Sequence, residues 1–227
     1  MHRKLLVSLT LIALLMTAAW AGEVVDRIVA TVNGKAILQS DWDLAAAYEA
    51  FIEGREPGNL NWEKRKAALD RLIDQELIRQ QVKAVDYRPA SVAEVEQRIA
   101  DIRKGHPESG NEESWRTLLR QYGLTEADLR EKVTGELNEL RAVDSHLRPT
   151  IQIDPHTIEA YYQQKLLPEL RQAGAHEVPL EQVAPKIKEL LAQQKMNDLL
   201  VTWLKNLRSE SNIHTAPDVS SPGGGGL

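Results

Sequence analysis

Val24-Val25-Asp26-Arg27-Ile28-Val29-Ala30-Thr31-Val32-Asn33-Gly34-Lys35-Ala36-Ile37-Leu38-Gln39-Ser40-Asp41-Trp42-Asp43 is the stretch on which the fold turns. Asn33-Gly34 offers the two positive-φ positions of a type I′ turn, and β-branched or aliphatic residues flank it on both sides. The reading is a hairpin, followed at once by a helix capped by Ser40 or Asp41. With a two-residue turn, Val29 should face Leu38 on one side of the ribbon and Ala30 should face Ile37 on the other, so both faces are apolar and both need cover. A two-stranded ribbon is marginal in water. The far end of the chain, Asn212-Ile213-His214-Thr215, supplies a candidate third strand that would bring the two ends together.

Upstream of the hairpin, His2, Arg3 and Lys4 precede an apolar run from Leu5 to Met16 and then Ala19-Trp20-Ala21. This pattern predicts a secretory signal peptide over residues 1–21, cleaved after Ala21, and therefore export. An uncleaved anchor fits less well, because the run is shorter than the roughly 20 residues a span needs. Cleavage would remove two basic residues and no acid, moving the formal charge from −5 to −7, which argues against nucleic acid as a partner. No second apolar run approaches spanning length, so no membrane insertion is expected after cleavage. The chain has no cysteine, and an exported fold without disulfides must hold by burial alone.

Downstream, the pattern is helical throughout. Trp42, Ala45, Tyr48 and Ile52 mark a first helix, and Asn61 caps a second with Leu69, Leu72, Ile73 and Leu77 on one face. Ser91 and Glu94 form a capping box for a third, and Gly123 sits where a short fourth helix needs a left-handed stop. Thr125 caps a fifth, with Leu124 and Leu129 as its hydrophobic staple and a stripe through Val133, Leu137, Leu140 and Val143. Asp154-Pro155 opens a helix with Ile158, Tyr161 and Tyr162, expected to be interrupted at Pro168 and Gly174. A last long helix runs from Leu180 or Val183 to Arg208, and residues 216–227, with four consecutive glycines, read as a disordered tail. The fold class is therefore mainly α, with a small N-terminal β-hairpin joined by a short C-terminal strand.

Chemistry leaves few marks on this sequence. The histidines beyond the leader (His106, His146, His156, His176, His214) lack the spacing of a metal site, no G-x-S-x-G elbow occurs, and the glycine run follows no strand. Asp and Glu alternate with Lys and Arg as on solvated helix faces. Neither catalytic residues nor a cofactor or metal site can be assigned.

The layout resembles the SurA family of periplasmic chaperones. The resemblance rests on Val25 to Asp43, on Leu69-Asp70-Arg71-Leu72-Ile73-Asp74, on Gly123-Leu124-Thr125 with Leu129-Arg130, and on Ile158 with Tyr161-Tyr162. It continues through Pro179 to Val183, Gln193-Gln194-Lys195, Trp203-Leu204 and Ile213. Family members with parvulin-type prolyl isomerase domains carry them between the Tyr-Tyr helix and the terminal helix. Here only the sixteen residues from Gln163 to Val178 stand there, too few for such a domain. What the resemblance implies is a chaperone module over residues 22–215: an N-terminal part, 22–162, and a terminal helix and strand, 179–215, that dock back on it. Its implied partners are unfolded outer-membrane proteins or other exported polypeptides, held without ATP. Gln163 to Val178 is a candidate hinge for a domain-swapped homodimer. The alternatives are a scaffold for one dedicated partner and a degenerate prolyl isomerase. Among the apolar residues, Trp62 lies outside the second helix's stripe, while Met196, Leu199 and Leu200 add more than one stripe to the terminal helix. These four are the candidate client-binding residues, since clients rich in alternating aromatics need an apolar surface.

Overall fold

The computed structural model describes residues 26–58 and 60–219. The signal-peptide reading of 1–21 and most of the expected tail fall outside them. Strands β1 (Ile28–Val32) and β2 (Lys35–Leu38) form the hairpin, with Asn33 at φ 51° and Gly34 at φ 83°, as a type I′ turn requires. Helices α1 (Gln39–Ile52) and α2 (Trp62–Gln81) follow, then α3 (Val92–Lys104), α4 (Glu112–Gln121) and α5 (Glu126–Leu147). A helix with a π-helical middle comprises α6 (Pro155–Tyr161), the π segment Tyr162–Leu166 and α7 (Leu167–Gln172). The long α8 (Leu180–Glu210) leads into β3 (Ile213–Thr215), which pairs antiparallel with β1, so the strand order is β2-β1-β3. The fold is mainly α, with the small sheet uniting both ends of the described chain.

Several local readings stand. Asn61, Ser91 and Thr125 each accept a backbone N–H three residues on, at 3.0, 3.3 and 3.1 Å, and Asp154 does the same before Pro155 at 2.9 Å. Leu124 and Leu129 are both buried, as a staple at that helix start should be. Gly123 turns the chain at φ +74°.

Others are corrected. Ala30 does face Ile37, but a bulge between Ile28 and Ala30 sets Leu38 opposite Ile28 instead of Val29. The extra residue breaks the alternation, and Val29, Ala30, Val32 and Ile37 are all buried while Ile28 stays half exposed, so the ribbon is not covered equally on both faces. Neither Ser40 nor Asp41 is the first cap. The helix begins after Leu38, whose N–H donates to Asp41 Oδ2 at 3.1 Å, while the Ser40 hydroxyl donates to Asp26. Pro168 does not interrupt its helix: it stands just past the π-helical segment, whose shifted hydrogen-bond pattern absorbs the missing N–H, and the helix runs on to Gln172 before Gly174 turns at φ +66°. Residues 216–219 are packed, not a loose tail. The Ala216 N–H donates to Val29 O at 2.9 Å, and Val219 is 3 % exposed within the core.

Four apolar clusters organise these elements; the fourth and smallest, Tyr162, Leu167 and Ile187, lies between the α6–α7 helix and α8, and the other three hold the rest. Val29, Val32, Ile37, Trp42, Leu69, Ile73, Leu77, Leu207 and Val219 join the sheet to α1, α2 and α8. Tyr48, Phe51, Val95, Trp115, Leu119, Leu129 and Val133 join α1 to α3, α4 and the first half of α5. Ile78, Val82, Ala142, Val143, Leu147 and Met196 join the ends of α2 and α5 to α8. Helix α5 thus leaves one cluster and enters another. Leu140 falls on its apolar stripe yet is 66 % exposed, because neither cluster reaches it at that joint.

Candidate functional site

Between the two clusters that α5 connects, the helix does not close on α1 and α2, and a cleft of about 780 Å³ remains. One face of α1 (Ala45, Tyr48, Glu49, Ile52) and one of α2 (Arg71, Leu72, Gln75, Ile78) line it, with α5 (Lys132, Gly135, Glu136, Glu139) as a wall and Lys35-Ala36-Ile37 of β2 beside them. Gly135 borders open space on that wall, since nothing lies within 4 Å of where its Cβ would stand.

Charges in the cleft divide into paired and unpaired. Arg71 holds Glu49 through two hydrogen bonds, which raise the arginine's already high pKa. Arg79 holds the buried Glu76 at 2.7 and 2.8 Å, and Gln80 adds a bond to the same carboxylate at 2.6 Å. The Tyr48 hydroxyl donates to Glu136 Oε2 at 2.8 Å. Burial, and then the neighbouring Glu136 charge, push the phenol's pKa up. Glu136 itself is raised, by burial first, although its side chain keeps a large exposed surface in the open cleft. Glu139, one turn further along α5, is pushed up to about 7 by burial and then by the negative charges of Glu136 and Asp74. It has no hydrogen bond or ion pair among the described residues. The arrangement offers an apolar floor, a wall on which Glu136 has Lys132 and Arg98 nearby while the charges that bear on Glu139 are all negative, and no constellation of nucleophile and base.

The four residues singled out from the sequence lie elsewhere. Trp62 is half-buried against the first cluster, edge-on to Trp42 with ring centroids 6.2 Å apart. Met196 is 6 % exposed, and Leu199 and Leu200 pack half-buried beside it in the seam of α8 with α2 and α5. They share a neighbourhood on α8 but not with Trp62, and none of the four lines the cleft. A client would reach Met196 only if α8 lifted. Tyr48, Glu136 and Glu139 were missed, because on a helix face of alternating charge nothing separates a solvated carboxylate from one that faces another wall. The available signal was Gly135-Glu136-Leu137-Asn138-Glu139, a stretch without any basic residue.

A family model described as the SurA-like N-terminal domain matches residues 2–141. The chain belongs to this family. The matched residues carry the hairpin, α1 to α4 and α5 as far as Arg141, and so nearly every residue that lines the cleft. No match is found among curated proteins. A SurA-like domain implies a chaperone-like role with polypeptide clients in general. Helix α8 and strand β3 lie beyond the matched residues and complete the first and third clusters.

Proposed function

We propose that the chain is an ATP-independent holding chaperone of the periplasm, which keeps unfolded outer-membrane proteins and other exported polypeptides soluble and has no isomerase activity of its own. The observation that carries this reading is the open cleft within the SurA-like domain: apolar side chains of α1 and α2 at its floor, charged groups along α5, and a volume in the range that takes a short piece of extended chain. Contacts of this kind are weak one by one and exchange fast, which suits a holder that must release its client. Export by cleavage after Ala21 places the chain where such clients pass. The sixteen residues between Tyr162 and Pro179 support the absence of an inserted isomerase domain. The α8–β3 arm docks on the N-terminal part through β3–β1 pairing and the Arg208–Asp74 bridge at 2.6 Å. The same contacts made to a second copy would give a swapped dimer, read by molar mass in solution.

The test is light scattering of a urea-unfolded outer-membrane β-barrel protein diluted into buffer with and without this chain, beside an unfolded soluble enzyme. Suppression near equimolar ratio, stronger for the β-barrel client, is the expected result. No suppression of either client removes the holding function and leaves a scaffold with one dedicated partner as the reading to pursue.

A further inference from the structure

A three-stranded sheet in the order β2-β1-β3 has β2 on an edge, and the cleft lies along that edge. Lys35, Ala36 and Ile37 all line it, although alternate residues of a strand point to opposite faces; three in a row are reached only from the side. In a hairpin closed by a two-residue turn, Val32–Lys35 and Ala30–Ile37 are the hydrogen-bonded positions, while Thr31–Ala36 is the position whose N–H and C=O groups point outward. Ala36 therefore turns both backbone groups away from β1, and neither has a partner among the described residues. At Leu38 the corresponding N–H is already taken by Asp41. The open edge is thus one residue pair long, with its register fixed between the Asn33-Gly34 turn and the start of α1. Across the cleft stands the α5 wall. Seven carboxylates and four basic groups line the whole cavity, Glu49 and Glu76 being matched by Arg71 and Arg79. The groups that bear on Glu139 are Glu136 and Asp74, both of its own sign.

We propose that a client segment binds here as a fourth strand, its backbone pairing with Ala36 on the free edge of β2, and that a Lys or Arg side chain of the segment meets Glu136 and Glu139 across the cleft. Backbone pairing accepts any extended sequence, which a holder of many clients needs. The apolar floor favours segments with apolar side chains at alternate positions. The carboxylates, seven against four basic groups around the cavity with no cation bearing on Glu139, select the sign of the remaining position, since a cation there loses less by leaving water than an anion would. The proposal rests on the reading of the chain as a polypeptide holder, and it names the kind of segment held.

The probe is a fluorescein-labelled nonapeptide of alternating valine and threonine with a central lysine, titrated against the purified protein by anisotropy. Two companions are the same peptide N-methylated at alternate backbone positions and one with glutamate in place of the lysine. N-methylation and Ala36→Pro are each expected to weaken binding about tenfold, as the loss of one to two backbone hydrogen bonds should. Proline is tolerated where a strand's N–H faces outward, and the methylated peptide gives the same test on unaltered protein. The lysine peptide should bind more tightly than the glutamate peptide, and a Glu136→Gln, Glu139→Gln double variant should erase the difference. Equal binding of methylated and unmethylated peptides overturns the strand pairing, and equal binding of the lysine and glutamate peptides overturns the role of the carboxylates. Scattering by an unfolded β-barrel client, followed with the same preparations, separates the two levels. Suppression without the peptide pattern sinks this proposal alone; lack of suppression sinks the holding function.

Discussion

Glu139→Gln removes a charge and almost nothing else, so it isolates the electrostatics of the cleft. In the folded chain this carboxyl is raised from its ordinary 4.5 to about 7, by burial and then by Glu136 and Asp74. A raised acid holds its proton more firmly in the folded than in the unfolded chain. The wild type therefore suffers no penalty below pH 4.5, loses stability as pH climbs, and carries the full cost above about 7. Taken whole, the shift corresponds to about 3 kcal/mol at 1.36 kcal/mol per tenfold change, and water entering the open cleft reduces it to about 1–3 kcal/mol. Glutamine keeps the shape and the polarity without the charge. The variant should match the wild type at pH 4 and exceed it at pH 8. At roughly 2–4 °C per kcal/mol for a domain of this size, the thermal midpoint at pH 8 should rise by about 2–12 °C. Circular dichroism melts of both proteins across pH 4 to 8 read this directly. Equal midpoints at pH 8, or a variant less stable than the wild type there, would refute the reasoning, since the first means Glu139 is fully solvated and the second that it has a cationic partner.

Other residues give sharper structural checks. Asn33→Ala should cost about 1–3 kcal/mol in urea unfolding. Its side chain donates to Gln80 at 2.9 Å and Ser211 at 3.2 Å and accepts from the Asn212 N–H at 2.8 Å, besides holding a positive φ. An unchanged urea midpoint would mean that the turn does not clamp the C-terminal arm. Val219→Ala should lose about 1 kcal/mol, because its side chain fills the first cluster; a neutral effect would return residues 216–219 to the loose tail expected from composition. Leu140→Gln should stay within about 0.5 kcal/mol of the wild type although it lies on the apolar stripe, and a large loss would place it in contact with a neighbouring helix.

The features legible in the sequence were the local ones. Asn33-Gly34 dictates its own turn, and Asn61, Ser91, Thr125 and Asp154 each satisfy a backbone donor three residues away, so type and spacing suffice to place them. The third strand was reached by elimination, because a two-stranded ribbon needs a partner and Ile213 offered one. What failed depended on neighbours distant in sequence. The bulge that buries Val29 answers to the core behind the sheet, and the π-helical turn before Pro168 answers to backbone bonds that periodicity does not reveal. Leu140 carries the angle of a core residue, but whether anything faces it depends on where α5 passes between clusters. Trp62 and Met196 looked like surplus apolar residues, and each finds a place in packing with another helix. The cleft was invisible for the same reason: Tyr48 belongs to α1 and Glu136 and Glu139 to α5, and only the arrangement of the two helices in space makes a wall and a floor of them.

The central claim is that unfolded chain rests in the cleft between α1, α2 and α5, and α5 itself provides the comparison. Gly135 lines the cleft, while Leu140 stands about 140° further around the same helix and faces out. A benzoyl-phenylalanine photocrosslinker placed at either position, irradiated with a urea-diluted β-barrel client, reports which side of α5 the client touches. Covalent client adducts from position 135 and few from position 140 are what this account predicts. Adducts from position 140 with none from position 135 would contradict it.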